Sequence, residues 1–263
     1  MKVIYLLGGV VVFGALGWFA YSNGITSTNK NEENAGLEQS MQHDDIQVTP
    51  IKHATAVIRI AGKTIYTDPT GGVEAFVGQP PADIVLVTDI HGDHFSTSTL
   101  AAVLGSAALV VPRAVKDLLP PELAEKATAL DNDSSLTEQG LKITAVPMYN
   151  LPGAVNEGFH PRGRGNGYLV EGNGARLYIA GDTAGTPEMR ALTDIDVALI
   201  PMNMPYTMNF EDAADAVIAF KPRKVFPYHY HGDNDAQNLS QFTQRVHRGD
   251  PTIEVVLAEW YPN

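Results

Sequence analysis

Apolar positions fall into three regimes along the 263-residue chain. Residues 3–22 (VIYLLGGVVVFGALGWFAYS) are an unbroken run of apolar and small residues behind Met1 and Lys2. Twenty helical residues at about 1.5 Å each match a hydrocarbon core of about 30 Å, and Trp18, Phe19 and Tyr21 gather at the far end like an interfacial belt. This pattern predicts a transmembrane anchor, or a signal peptide cut near Ala20-Tyr21-Ser22. Either way the remainder is expected outside a bacterial inner membrane, in the periplasm or secreted. Residues 23–45 are polar, with few large apolar side chains, and read as a flexible linker. The folded domain is expected over residues 46–263.

Within that domain, short β-branched runs alternate with helical patches. Residues 55–70 (TAVIRIAGKTIYTDPT) read as two strands joined at a glycine turn. Residues 167–183 (GYLVEGNGARLYIAGDT) repeat this plan, so the two halves echo one another. Buried strands follow at residues 82–87 (ADIVLV), 194–203 (DIDVALIPMN) and 223–233 (RKVFPYHYHGD), and each runs into His, Asp or Asn. Residues 143–150 (ITAVPMYN) and 253–260 (IEVVLAEW) read as further strands. Helices are expected over residues 96–106, 113–119, 210–220 and 237–246; the third opens with a carboxylate-rich turn that suits the helix dipole. The whole predicts an α/β sandwich of two facing sheets with helices outside.

Composition narrows the chemistry. The formal charge is −12 and the basic clusters are short, so an electrostatic grip on nucleic acid is excluded. With no cysteine, there can be no thiolate metal site, disulfide or cysteine nucleophile. No G-x-S-x-G elbow occurs to support serine acyl transfer. Any metal must be held by imidazole and carboxylate.

Asp89-Ile-His-Gly-Asp-His94 supplies such groups, with two histidines and two aspartates in six residues directly after a buried strand. In an extended segment Asp89, His91 and Asp93 share one side, and a turn at Gly92 sends His94 elsewhere. Four donors fanned from one turn suit two neighbouring cations; the plainer alternative is a solvated acidic turn. Glycines of the stretch Gly163-Arg-Gly-Asn-Gly167 suggest a mobile pocket rim. Met202, Met204, Pro205, Tyr206 and Met208 suggest core packing or the wall of a lipophilic site.

The stretch resembles the metallo-β-lactamase superfamily, whose signature reads Thr-His-x-His-x-Asp-His after a buried strand. His53, Asp68-Pro69, Gly181-Asp182-Thr183 and Pro227-Tyr-His229 follow in the family's order. Their wording looks most like the branch of ascorbate-phosphate lactonases and N-acylethanolamine-releasing phospholipases. The resemblance implies a four-layer αβ/βα sandwich with its metal site at the sheet edges. Asp89 and His91 would hold one ion, Asp93, His94 and His229 the other, and Asp182 would bridge them. Two departures stand out: Asp89 replaces the leading histidine, and Tyr149-Asn150 lies where a further histidine is expected. His160 is the candidate replacement for it, or else a substrate contact.

A hydrolase follows as the leading expectation. One or two divalent ions, zinc foremost with manganese or iron as alternatives, would make water nucleophilic at neutral pH. Asp93 would orient the resulting hydroxide, and His160 or His231 would protonate the leaving group. His53, Tyr149 and Asn150 are further pocket positions. The expected substrate is a small ester, lactone or phosphodiester, lipophilic or phosphorylated. A β-lactamase-like amidase and a metal-binding or sensing module without turnover are the alternatives.

Overall fold

The computed structural model describes residues 46–230, 232 and 234–261; the proposed anchor (residues 1–22), the linker (residues 23–45) and His231 lie outside them. Among the described residues no helix is long and apolar enough to cross a membrane.

Two sheets form the centre. The first runs β1 (Gln47–Lys52), β2 (Thr55–Ile60), β3 (Lys63–Thr67), β4 (Ile84–Leu86), β5 (Ala108–Val111) and β6 (Ala127–Ala129), in that spatial order. The second holds β7 (Ser135–Glu138), β8 (Leu141–Met148), β9 (Gly165–Gly172), β10 (Ala175–Ile179), β11 (Val197–Pro201), β12 (Lys224–Tyr228) and β13 (Glu254–Val255), again as sequential neighbours. The echo seen in the sequence is an echo in topology. In the first sheet β2 and β3 pair antiparallel, and β4 and β5 then add in parallel. In the second, β9 and β10 pair antiparallel, and β11 and β12 add in parallel.

Side-chain alternation builds the layers. Ile58, Ile60, Ile84 and Leu86 of the first sheet share one buried cluster with Ile143, Tyr168, Val170 and Leu177 of the second. Intervening Val57, Val85 and Val87 face the other way and are covered by Leu100, Val115 and Leu123, from in and around helices α1 (Thr97–Val103), α2 (Arg113–Lys116) and α3 (Pro121–Ala124). Met189, Val217, Phe220, Phe242 and Val246 close the second sheet from α4 (Pro187–Arg190), α5 (Phe210–Phe220) and α6 (Asp235–Gly249). The order helix, sheet, sheet, helix is the four-layer sandwich expected.

Several local expectations change. The helix read at residues 113–119 stops at Lys116, and Pro120 and Pro121 open a second short turn instead of ending the first. Proline suits the first helical position, so the pair begins an element. The last strand shortens to Glu254–Val255, after which the chain turns to bury Trp260 under Tyr228, with ring centroids 5.4 Å apart. The glycine-rich stretch divides: Gly163 is exposed ahead of β9, whereas Gly165 and Gly167 lie in β9 and are buried. A Cβ on Gly165 would meet the Thr88 carbonyl at 2.8 Å, and one on Gly167 the Ala180 carbonyl at 2.8 Å. Glycine here permits backbone contact between strands.

Tyr168 ties the sheets together. It is fully buried on β9, and its hydroxyl donates to the Val87 carbonyl just beyond β4 at 2.8 Å. Tyr168→Phe is expected to lower unfolding stability by about 1–2 kcal/mol by leaving that carbonyl unpaired. Urea unfolding of the two proteins measures it.

Candidate metal centre

The parallel strands deliver the chemistry at their carboxyl ends, where ligands gather in open α/β sheets. Asp68 follows β3, Asp89 follows β4, Asp182 follows β10, Asn203 follows β11 and His229 follows β12. After β4 the chain does not stay extended. The amides of His94 and Phe95 both donate to the His91 carbonyl, at 3.0 and 2.8 Å, so a tight turn begins at His91. The turn, not strand alternation, separates the four groups. Asp89 and His91 face one side, Asp93 another, and His94 points into the protein.

Three groups of ligand atoms result: two meet at Asp182, and a third, His53 with Asp93 and His229, shares His229 with the second. In the first, Asp89 Oδ2 lies 2.8 Å from His91 Nδ1 and 3.9 Å from His160 Nε2, which is itself 3.2 Å from Asp182 Oδ2. In the second, His94 Nε2 is 3.0 Å from His229 Nε2 and 3.3 Å from Asp182 Oδ2. His229 Nε2 also lies 3.5 Å from Asp182 Oδ1 and 3.4 Å from Asp93 Oδ2. His160 thus stands with Asp89 and His91, three residues whose ligand atoms fall within 4.8 Å of one another. It is buried, yet it lines the cavity that opens over the cluster.

Each buried imidazole is held by its other nitrogen. His94 Nδ1 donates to Asp68 Oδ2 at 2.8 Å, and Asp68 is itself fixed by the Thr88 amide and hydroxyl, both at 2.7 Å. His160 Nδ1 donates to the Tyr206 carbonyl at 3.1 Å. His229 Nδ1 meets the Asn203 side-chain amide at 3.0 Å. With Nδ1 so engaged, each Nε2 is turned toward Asp182. For His94 and His160, whose Nδ1 donates to an oxygen, this leaves Nε2 as the lone-pair nitrogen, as in metal-ligating histidines; at His229 the Asn203 amino group is the donor and fixes only the ring's direction.

The cluster fits a divalent cation on two independent grounds. His160 Nε2 and Asp182 Oδ1 are buried with no hydrogen-bond partner, an arrangement protein interiors rarely tolerate. Positive charge is also strongly favoured. Burial opposes charge on His94, yet the carboxylates of Asp182 and Asp68 lift its pKa well above the usual imidazole range. Burial likewise opposes ionisation of Asp182, but His229 and His94 hold its carboxyl well below the usual carboxylate range. Desolvation raises Asp68, which meets His94 from behind. Asp68 (φ 46°) and His229 (φ 50°) also adopt left-handed conformations. For non-glycine residues these cost roughly 1 kcal/mol or more, and they persist where surrounding structure demands them.

A cavity of about 570 Å³ opens over the cluster. His53, His91, Asp93, His160, Asp182 and Asn203 contribute its polar side, and Phe159, Met204, Pro205 and Tyr206 its apolar side. Phe159 and Tyr206 meet edge to face at 5.0 Å, and Met204 stays about half exposed. Met202 and Met208 of the same stretch are core. His53 bonds Tyr261 Oη through Nδ1 at 2.6 Å and Asp93 Oδ2 through Nε2 at 3.2 Å, and its ring centroid lies 4.0 Å from that of His229. Burial pushes the His53 pKa below its ordinary value.

Tyr149 and Asn150 sit behind the cavity rather than in its wall. Tyr149 Oη donates to Glu188 at 3.0 Å, and Asn150 Nδ2 donates to the carbonyls of Tyr206 and Asn156, bracing the loop that carries His160. Asp68, Asn203, Tyr261 and Arg164 also belong to the site, although the sequence alone does not mark them as site residues. Arg164 grips both carboxylate oxygens of Asp89, Nε to Oδ1 at 3.1 Å and Nη2 to Oδ2 at 3.0 Å. A buried acid at residue 89 was the available signal, since it requires a cation close by.

Comparison with known proteins agrees with this architecture. Residues 47–229 match the family described as the beta-lactamase superfamily domain. A UPF0173 metal-dependent hydrolase of Thermococcus kodakarensis is 32% identical over 221 residues, covering 81% of this chain and 96% of the relative. A crystal structure from Parabacteroides distasonis, described as a candidate metal-dependent hydrolase, is 33% identical with a TM-score of 0.69, covering 82% of this chain and 94% of that one. Igni18, a metallo hydrolase of Ignicoccus hospitalis, shares the fold at 21% identity and a TM-score of 0.66, covering 81% and 95% of the two chains. The chain therefore belongs to the UPF0173 metal-dependent hydrolases of the metallo-β-lactamase superfamily.

Proposed function

We propose that the protein hydrolyses an ester, lactone or phosphodiester bond of a small molecule with an apolar portion, using two divalent ions. The observation that carries this reading is the convergence of His94, His160 and His229 through Nε2 on the buried carboxylate of Asp182. Asp89, His91, His160 and Asp182 would hold one ion; His94, His229, Asp93 and Asp182 the other. Zinc suits the imidazole-rich set, and the added carboxylate of Asp89 makes manganese or iron credible occupants. Such ions supply Lewis acidity and lower the pKa of water from 15.7 toward about 7.

What the chain's own residues contribute follows from their placement. Asp93 is the most open of the site carboxylates, with 43% of its side chain exposed. It faces the cavity and can align an incoming water through a hydrogen bond. Partial burial opposes its ionisation, but hydrogen bonds from His229 and His53 hold the carboxyl well below the usual carboxylate range. Phe159, Met204 and Tyr206 give an apolar substrate portion a surface beside the polar centre, so that the scissile bond rests over Asp182 and Asp93. Residues 3–22 support placing this chemistry at the outer face of a bacterial membrane, as an anchored or exported enzyme.

A panel of p-nitrophenyl esters, lactones and bis(p-nitrophenyl) phosphate, assayed with added Zn²⁺ or Mn²⁺, tests the reaction class. Turnover of at least one member is expected, with loss of about 10²-fold or more in Asp93→Ala, as for other groups that act in the chemical step. Metal uptake without turnover of any member would favour the binding module instead. Chain-length dependence tests the apolar wall. Tyr206→Ser combined with Met204→Ser is expected to raise KM for long-chain esters roughly 10-fold and to leave short-chain esters nearly unchanged, as lost apolar contacts of about 1–3 kcal/mol would do. Steady-state kinetics on the two ester series reads the difference.

A further inference from the structure

The buried carboxylate of Asp89 is not free to act as an ordinary ligand. It is fully buried, and both oxygens are occupied by Arg164 through Nε at 3.1 Å and Nη2 at 3.0 Å. Oδ2 also faces His91 Nδ1 at 2.8 Å and, more distantly, His160 Nε2 at 3.9 Å. The guanidinium is itself secured, since Nη2 donates to the Phe159 carbonyl and only 18% of the side chain is exposed.

Local backbone explains why arginine reaches this point. Gly165 brings the start of β9 within van der Waals reach of the Thr88 carbonyl, and the Asn166 amide donates to that carbonyl at 2.9 Å. Residue 164 is thereby delivered beside residue 89. A bidentate pair in this geometry is directional and strong, and lysine could not reproduce it.

Resting on the two-ion reading above, we propose that Arg164 is the charge-balancing and positioning residue of the first metal position, so that Asp89 and Arg164 together behave as one neutral ligand. Three carboxylates, Asp89, Asp93 and Asp182, are spread over three neighbouring groups of candidate ligands, one carboxylate in each. Left alone, the extra negative charge of Asp89 would bind an ion tightly and weaken its Lewis acidity. Arg164 cancels that charge, and its fork fixes which oxygen faces His91 and His160. The consequence runs against simple ligand counting. Replacing Asp89 by histidine, a stronger zinc ligand taken alone, leaves the buried guanidinium uncompensated next to the ion and therefore loosens it.

Zinc titration of the full-length protein against a competing chelator, followed by calorimetry, tests this without any assay of turnover. The wild type is expected to take up two ions. Asp89→His is expected to weaken one of them by at least about 10-fold, the scale on which outer partners act on metal affinity. The pair of substitutions Asp89→His with Arg164→Gln is expected to recover most of that loss, a rescue that a misfolded single variant could not show. If Asp89→His alone binds the ion as tightly as the wild type or more so, the inference is overturned. It is overturned as well if the double variant is no better than the single one. A wild-type chain that takes up no ion would instead refute the proposed function itself.

Discussion

A carboxylate buried among imidazoles governs this molecule. Asp182 is 2% exposed and faces Nε2 atoms of three histidines, each within 3.5 Å. Taking an anion out of water is costly unless positive charge answers it, and here burial and attraction are set directly against each other. Attraction prevails, since Asp182 stays ionised and His94 is driven toward its protonated form. Cations placed between these groups would satisfy the same demand without consuming the histidines' basicity. The sandwich is the frame that keeps Asp182 and the imidazoles from escaping to water.

That frame works because both sheets end their parallel strands on one edge. A strand end sets the direction of the next side chain, so a carboxylate or imidazole placed there is held by the whole sheet behind it. Outer partners then fix each ring and carboxylate in its direction. Asp68 does so for His94, the Tyr206 carbonyl for His160, Asn203 for His229 and Arg164 for Asp89. Left-handed backbone at Asp68 and His229 is the local cost of these directions. The same loops that brace His160 also place Phe159 and Tyr206 at the mouth of the cavity. Centre and apolar wall are therefore coupled through a short stretch of chain.

Much of this is legible in the order of residues alone. The repeated hairpin pattern at residues 55–70 and 167–183 marks the two pseudo-equivalent sheets, because strand alternation and glycine turns are local signals. The density of His and Asp after β4 marks the site for the same reason. Strands β1, β5, β6 and β7 escape such reading: they are short or lie at sheet margins, where pairing partners rather than the segment's own pattern decide the conformation. The outer partners are hidden for a different reason. Asp68 and Arg164 look like turn residues in the sequence, and their roles exist only because the fold brings β3, β4 and β9 together at one edge. Which side of the turn each of Asp89, His91, Asp93 and His94 faces also depends on a hydrogen-bonded turn at His91 that alternation does not anticipate.

The central claim is that Asp182 lies between two cation positions built from these strand ends. Anomalous X-ray diffraction at the zinc absorption edge, on crystals grown with zinc, addresses it most directly. Two anomalous peaks are expected flanking the Asp182 carboxylate, one beside Asp89, His91 and His160 and the other beside His94 and His229. Peaks absent from that carboxylate, or confined to surface acids elsewhere, would contradict it.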